Sequence, residues 1–428
     1  MKKQKWMFLF FVSALALPAE SLTLDNDSLK NDNRLQIGGY GEAVMTRNFY
    51  SDEWQRYTHA SEYKNPSGHG RFDIPHVVIN IGYNFGKGWT MGSEIEFEHG
   101  GTESAVEMEA EETGEYEKEI ERGGEVAIEQ FWIQKSFNAA LNLRMGHIVV
   151  PVGLTNGHHL PTEFFTVYRP EGENTIIPCT WHETGISLWG RLKEWRYEIQ
   201  FLPGLDSDRF GSQGFIHDGS GSPYEFKIAN AYAGMLRIDN YSFPGLRIGV
   251  SGYYGNSFSN SLTKNTKYKD CSGAVAIGSI DFHYQAHNWI VRGNFDWAHL
   301  NDSKQITAFN KNNMSATSPS PKTVVASDAM ATGIEAGYDI FSQVKKKKNV
   351  EKLYLFGRYE YYDSMMKVEQ GLLDYTWCGK HRIAFGLNYY PIKDIVLKAE
   401  YSKRFFKKEY NDEPSVSIGV AYSGFFTK

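Results

Sequence analysis

The side chains with the most chemical potential in this sequence are concentrated in one segment, residues 150–183. Histidine, arginine and glutamate can bind metals, move protons or set the charge of a passage, and the segment supplies all three types: His158, His159, Glu163, Arg169, Glu171 and Glu173. They are interspersed with aromatic residues and with prolines, which restrict the backbone. This composition suits a loop packed inside a larger architecture better than an exposed, flexible one.

A metal site or a catalytic site is the competing interpretation of this segment. Zinc could be held by His158, His159 and His182, but adjacent histidines point apart in an extended chain and no helical His-x-x-x-His spacing occurs. A hydrolase needs a nucleophile beside a base, and Gly-Ile-Ser-Leu-Trp at 185–189 departs from the Gly-x-Ser-x-Gly motif. We therefore expect no metal, no cofactor and no enzymatic activity.

The composition of the whole chain narrows the architecture that must position these residues. Among 428 residues, 15% are aromatic, 41 are Gly and only three are Cys, a mixture that favours strands and turns and excludes both disorder and a disulfide scaffold. The mean hydropathy of −0.46 is too polar for a bundle of membrane helices. A net charge of −6 argues against a nucleic-acid partner.

The N-terminal residues have the pattern of an export signal. Lys2, Lys3 and Lys5 precede an apolar run at 6–17, and small residues follow up to Ala19. This pattern predicts a signal peptide at 1–19 that is removed on secretion. We divide the remainder into a short periplasmic lead-in at 20–34 and one domain at 35–428.

Period-two alternation dominates the remainder of the chain. In Trp89–Glu98, Trp89 and Phe97 share one face with other apolar residues, and Glu94, Glu96 and Glu98 share the opposite face. Sixteen segments of this kind are present: 35–46, 71–83, 89–98, 125–137, 141–149, 184–190, 195–202, 231–240, 246–254, 274–284, 289–299, 331–340, 352–362, 381–390, 395–404 and 414–425. About ten residues is the length of a tilted strand that crosses a membrane.

The connections between these segments alternate between tight turns and long polar loops. The sequence therefore predicts an all-β fold: a transmembrane antiparallel up-and-down β-barrel of about 16 strands, with long extracellular loops and short periplasmic turns. A secreted β-sandwich is the rival architecture, but sandwiches do not alternate turn lengths so strictly. We place the protein in the outer membrane of a Gram-negative bacterium, in contact with lipid and lipopolysaccharide.

If the apolar faces of the strands meet lipid, the alternating polar faces line the interior. Parity then assigns these strand residues to the pore: Arg144, Arg196, Arg237, Arg247, Arg292, Arg358, Glu94, Glu96 and Glu98. Barrels of this strand number leave an aqueous channel. The alternative reading is that these charges pair across neighbouring strands and hold the wall together.

The end of one predicted strand resembles a known motif. The run Arg144-Met145-Gly146-His147-Ile148-Val149-Val150-Pro151-Val152-Gly153 is similar to the strand-to-loop motif of the phosphate-selective porin O and P family, as are Tyr168-Arg169-Pro170-Glu171 and Thr184-Gly185-Ile186. This resemblance implies a sixteen-stranded, trimeric outer-membrane channel whose third loop folds inward. It also implies phosphate selectivity through basic residues, of which the motif itself carries Arg144. The family's usual Phe is Val152 here.

The second predicted exterior loop is strongly acidic. Eleven Glu lie from Glu98 to Glu125, both ends included, against Lys118 and Arg122. The run is either a solvated surface or a vestibule that attracts cations. We predict a porin for passive diffusion of small hydrophilic solutes or inorganic ions, with 150–183 as its constriction. An adhesin or structural barrel is the alternative, and a barrel hydrolase is a less favoured one.

Overall fold

A computed structural model describes residues 34–102, 105–108, 120–220, 228–260, 270–312, 323–344 and 351–427. The predicted signal peptide at 1–19 and nearly all of the lead-in at 20–34 lie outside these residues. Most of the acidic run from 103 to 119 also lies outside them. The described residues at the two ends of this run form a short hairpin.

Nineteen strands are described. They are β1 (Leu35–Asn48), β2 (His69–Asp73), β3 (His76–Gly86), β4 (Trp89–Glu98), β5 (Ala105–Met108), β6 (Ile120–Gly123), β7 (Glu125–Asn138), β8 (Leu141–Val149), β9 (His182–Leu192), β10 (Trp195–Pro203), β11 (Tyr232–Phe243), β12 (Leu246–Asn256), β13 (Ala274–Ala286), β14 (Trp289–Leu300), β15 (Asp328–Asp339), β16 (Lys352–Lys367), β17 (Lys380–Ile392), β18 (Ile395–Phe405) and β19 (Glu413–Phe425). Helices are α1 (Glu171–Ile176), α2 (Ser303–Asn312) and α3 (Phe341–Val344). No helix among the described residues is long and apolar enough to cross a membrane.

The strands form one closed antiparallel sheet. From β7 to β19 each strand pairs with the next one in the chain, and β3 pairs with β4, which pairs with β7. Strand β1 pairs with β2, β3 and β19, so the first and last strands join. The small hairpin β5–β6 stands apart from this sheet. Closure satisfies the backbone hydrogen bonds of the edge strands, which a bilayer requires. Strands β2 and β3 lie end to end and together occupy one strand position in the wall. The barrel therefore has 16 strands, as the sequence predicts.

The predicted segments correspond to the observed strands, with one difference in kind. Segment 71–83 is not continuous, since β2 ends at Asp73 and β3 begins at His76. Pro75 lies in the gap, where its missing N–H removes a donor from the ladder. The largest difference at a strand end is at β16, which runs to Lys367 rather than to 362.

The outer and inner faces of the wall differ as the alternation predicts. Ile199, Leu236 and Val250 point outward and are about half exposed, at 49%, 46% and 51%. Their neighbours Glu198 and Arg237 point inward and are buried. An apolar outer face suits lipid, so the polar interior must be covered by other parts of the same chain or by water.

Several long loops enter the barrel and pack together there. One buried apolar cluster combines residues of 150–181, of 204–220 and of α2, including Val150, Val152, Ile176, Trp181, Leu205, Phe210, Phe215, Ile306 and Phe309. It lies next to the inward faces of β13, β14 and β15 through Val275, Ala298 and Ala329. The cluster therefore fills part of the interior and reaches β7 through Trp132, but it includes no residue of β3 or β4.

Candidate functional site

The first half of segment 150–181 extends across the barrel interior. It leaves the end of β8 and is held near its start by Arg237 of β11, whose Nη1 donates to the carbonyl oxygens of Pro151 (3.1 Å) and Gly153 (2.8 Å). Further along, Lys398 of β18 donates from Nζ to the carbonyl oxygens of Phe164 (3.0 Å) and Thr166 (2.8 Å). Since β11 and β18 are distant around the sheet, the loop spans the lumen.

The second half of the segment is anchored by its acidic residues and its backbone. Glu171 accepts hydrogen bonds from Arg404 at 2.7 Å and from the Tyr362 hydroxyl at 2.7 Å. The backbone N–H of Gly172 donates to Glu360 Oε1 at 3.1 Å. These contacts fix α1 against β16 and β18, on the side of the barrel opposite the loop's own strands.

Glu173 fixes the fold of the loop itself. It is 1% exposed, and it accepts hydrogen bonds from the backbone N–H and the hydroxyl of Thr155, both at 3.0 Å. Gly153 adopts φ +81, and a Cβ there would lie 1.8 Å from Glu173 Oε1. Only glycine tolerates both the backbone angle and the contact, so the segment has one well-defined path.

The two histidines of the segment are buried and uncharged near neutral pH. His158 lies 3.6 Å from Glu163 Oε1, and His159 packs edge-on against Tyr40 with ring centroids 5.8 Å apart. Burial, reinforced by nearby arginines, lowers the pKa of His158 well below its ordinary value and that of His159 to about 3. His182 instead contacts His147 on β8. The three histidines considered for zinc do not form a compact group.

Each predicted arginine on the wall from β10 to β16 has an acidic partner. Arg237 and Arg247 share Asp239 and Asp281, with N···O distances from 2.6 to 3.0 Å, and Arg196 contacts Glu198 at 2.6 Å. Arg292 pairs closely with Glu335, which also receives Arg358 at 3.3 Å. Arg358 also forms an ion pair with Glu360, and Arg382 forms ion pairs with both Glu360 and Glu400. The pairing interpretation of these charges therefore holds for this part of the wall.

Arg144 on β8 has a different environment. Its guanidinium lies 4.5 Å from the centre of the Trp132 ring, and its Nε donates to Gln134 at 3.1 Å. It shares a small cavity with Arg196, Arg237, Arg247 and His158, beneath the start of the loop. The structure thus brings the motif arginine together with three of the other predicted arginines.

Glu94, Glu96 and Glu98 lie on β4, on the wall that the apolar cluster leaves open. Glu94 is hydrogen-bonded by Gln130, and Glu96 contacts Nδ1 of His76 at 2.6 Å. Glu98 lies 3.9 Å from the same nitrogen. In the described part of the chain, His76, Glu96 and Glu98 are the one group of three compactly placed potential metal ligands.

Sequence reasoning missed Glu129, a fourth acid on this wall. Glu129 is 2% exposed and accepts a hydrogen bond from the Tyr40 hydroxyl at 3.3 Å. It faces inward because β7 contains a bulge, where the register shifts between Glu94 and Ile95 and both Glu129 and Gln130 turn toward the lumen. The only signal in the sequence is the poor alternation of segment 125–137.

Arg169 faces this acidic wall from the loop. Burial alone would lower its pKa, but Tyr40, Cys179 and the carboxylates of Glu96 and Glu129 outweigh burial and raise the pKa. Two of its nitrogens, Nε and Nη2, are fully buried and have no hydrogen-bond partner. The residue as a whole is partly exposed.

The charge of Glu171 leads to a testable pH dependence. Burial raises its pKa, but Arg382 and Arg404, with hydrogen bonds from Arg404 and Tyr362, outweigh burial and leave the pKa below its ordinary value. A carboxyl group with a depressed pKa stabilises the folded loop above its unfolded pKa, and this stabilisation is lost as pH falls through the folded value. We expect the anchoring to persist from neutral pH to about pH 5 and to weaken only in stronger acid.

This expectation can be checked with single-channel recordings across pH. The larger conductance level of the released loop should be absent from the wild type between pH 7 and about pH 5 and should appear only below that range. The variant Glu171→Gln should show the larger level already at pH 7. A larger level that appears in the wild type between pH 7 and about pH 5 would show that another group controls the loop.

Comparisons with known proteins agree on the fold. No protein-family model matches the chain. An uncharacterized protein of Aquifex aeolicus (strain VF5) is 26% identical to this chain over 381 residues, covering 88% of this chain and 78% of that protein. The likeness to the phosphate-selective porin O and P family remains a resemblance of short motifs.

Solved structures similar to this chain are outer-membrane proteins. The outer-membrane channel DcaP of Acinetobacter baumannii has a TM-score of 0.50 at 12% identity, covering 91% of this chain and 97% of that one. OprB of Pseudomonas putida gives 0.51 at 8% identity, covering 91% and 94%. A loop-deletion mutant of OmpT, an outer-membrane protein of Vibrio cholerae, gives 0.50 at 10%, covering 92% and 100%. At these identities the likeness establishes the fold, that of outer-membrane barrel porins.

Proposed function

We propose that this protein is an outer-membrane porin: a water-filled channel for the passive diffusion of small hydrophilic solutes and ions, with loop 150–183 as its constriction. The observation that carries the proposal is the path of the loop. It spans the barrel and is anchored on the far wall by Lys398, and its α1 is anchored by Glu171. A narrowing loop with a charged rim is what a selective diffusion channel requires.

The charges of the interior favour a weak preference for cations over phosphate. The arginines from β10 to β16 are paired with Asp239, Asp281, Glu335 and Glu360, so their charge is locally balanced. The acids on β4 and Glu129 have fewer cationic partners. A passage beside this wall has a negative potential, which raises the local concentration of cations.

The alternative of an adhesin or structural barrel is favoured by one observation, the apolar cluster inside the barrel. A barrel that this cluster closed completely would not conduct. The proposed channel instead runs along β3 and β4, where His76 and Glu98 keep side-chain exposures of 14% and 36%. In this proposal the channel forms a homotrimer in contact with lipid and lipopolysaccharide.

Solute flux into proteoliposomes tests the proposal. Vesicles containing the refolded barrel should swell in solutions of small sugars at a rate that falls steeply with solute size, because the loop restricts the passage. Heat-denatured protein in identical vesicles is the control. A folded barrel that admits no solute of any size would contradict the porin proposal and favour the structural alternative.

A further inference from the structure

Arg169 differs from the other arginines inside the barrel. Arg237, Arg358 and Arg404 each make ion pairs of 3.0 Å or less. Among the described residues Arg169 has no ion-pair partner within 4 Å, and its Nε and Nη2 are buried without a hydrogen-bond partner. Arg247 shares the second feature but makes two ion pairs. Leaving the N–H groups of two guanidinium nitrogens unpaired in a buried place costs free energy, so such donors are generally satisfied by a ligand or by water.

The surroundings of Arg169 are acidic. Its guanidinium is within electrostatic range of Glu94, Glu96, Glu98 and Glu129 on the facing wall. Glu96 and Glu129 are 4% and 2% exposed, so both carboxyl groups lie in the barrel interior. The unpaired N–H donors of Arg169 therefore face the carboxyl groups of the glutamates without direct contact.

Glu98 brings the acidic wall to solvent at the extracellular end of its strand. His76 begins β3 and Glu98 ends β4, on the side away from the tight turn at 86–89, and Glu98 is 36% exposed. On the loop side, Arg71 of β2 lies 5.7 Å from the ring of Tyr168, beside Arg169. These groups flank the route that a solute takes in the proposed channel.

We propose that Arg169 and the pair Glu96 and Glu98 form a binding site for small zwitterionic solutes, with α-amino acids as the class. The solute carboxylate accepts hydrogen bonds from Nε and Nη2 of Arg169, and its ammonium group donates to the glutamates. This inference rests on the proposed porin function and specifies its substrate class. Bidentate contact between a guanidinium and a carboxylate gives the geometric specificity.

A zwitterion fits this arrangement better than either single charge does. A divalent cation at His76, Glu96 and Glu98 would have suitable ligand types, but the Arg169 guanidinium would repel it. A simple anion at Arg169 would be repelled by the surrounding carboxylates. A molecule with both charges satisfies the donors and the acceptors at once.

The test compares glycine with its neutral isomer glycolamide, which has the same atoms and no charge. Uptake of each labelled compound into proteoliposomes is measured at low concentration in the wild type, in Arg169→Gln and in Glu98→Gln. We expect the wild type to favour glycine by about tenfold, corresponding to one charged hydrogen-bonding interaction. The ratio should fall toward one in both variants.

Lys403→Gln is the matched control. Lys403 faces outward on the same barrel, paired with Asp412 at 2.7 Å, and the change removes the same charge without altering the lumen. Its ratio of glycine uptake to glycolamide uptake should equal that of the wild type. The heat-dependent electrophoretic mobility of each variant shows whether it has folded. Equal uptake of the two isomers by the wild type, or a ratio unchanged in Arg169→Gln, would overturn the zwitterion site.

Two other outcomes are informative. If neither isomer enters vesicles containing folded wild-type protein, the porin proposal itself fails. If Zn²⁺ alone blocks glycolamide flux, and the block is lost in His76→Ala but kept in Arg169→Gln, the cluster is a metal site and the zwitterion proposal is wrong.

Discussion

Replacing Lys398 by Met should produce a higher conductance level that the wild type does not show. Lys398 is 4% exposed and holds the loop through the carbonyl oxygens of Phe164 and Thr166, with its Nζ 4.1 Å from the centre of the Phe164 ring. Each hydrogen bond from a charged donor contributes about 1.5–3 kcal/mol, so losing two weakens the anchoring by about 3–6 kcal/mol. The released loop should move away from β18 and widen the passage, and single-channel recording in KCl measures the change.

The same substitution at Lys403 separates loop release from a general effect of charge. Lys403 lies on β18 but faces outward, so Lys403→Met should leave the conductance unchanged. A second variant that replaces residues 154–176 by a short Gly/Ser linker should conduct more than Lys398→Met. If both loop variants show the wild-type conductance, the loop does not limit the passage.

The second large effect is expected on stability. Arg237 is 3% exposed and contacts Asp239, Asp281 and two loop carbonyl oxygens. Arg237→Gln leaves buried carboxylates without their cation, and removing one partner of a buried ion pair typically destabilises a protein by about 3–5 kcal/mol. We expect the urea midpoint of the barrel in lipid vesicles to fall accordingly.

Lys393→Gln is the control for this measurement. Lys393 has 86% of its side chain exposed, at the turn between β17 and β18, and its contact with Asp394 is 3.8 Å long. Exposed pairs of this kind contribute about 0–1 kcal/mol, so the midpoint should hardly move. Equal stability of Arg237→Gln and the wild type would show that water replaces the ion pairs of the interior at no cost.

The barrel could be predicted from the sequence because two independent periodicities agree. Side chains alternate along each strand, and connections alternate between tight and long, so a shift in either pattern would have been visible. At 86–89 the turn even has the geometry expected of a tight hairpin, with positive φ at Lys87 (54°) and Gly88 (77°). The break at Pro75 was missed because the residues on both sides continue the alternation.

The site was less accessible, because parity shows which way a side chain points but not what it meets. Arg237 and Glu94 could be assigned to the interior from their strands alone. Glu129 could not, since the bulge in β7 reverses the parity there. The anchoring of Glu171 by Arg404 joins residues 233 positions apart through the path of an irregular loop, and no local pattern encodes that path.

The most direct test of the account is a planar-bilayer recording of the refolded wild-type protein, with reversal potentials measured across a KCl gradient. A porin narrowed beside an acidic wall should give discrete, stable open steps with a weak preference for K⁺ over Cl⁻. Added phosphate should leave those steps unchanged. Strong anion preference with block by phosphate would show that Arg144 and Arg169 outweigh the glutamates of β4, and silence from a folded barrel would contradict the channel altogether.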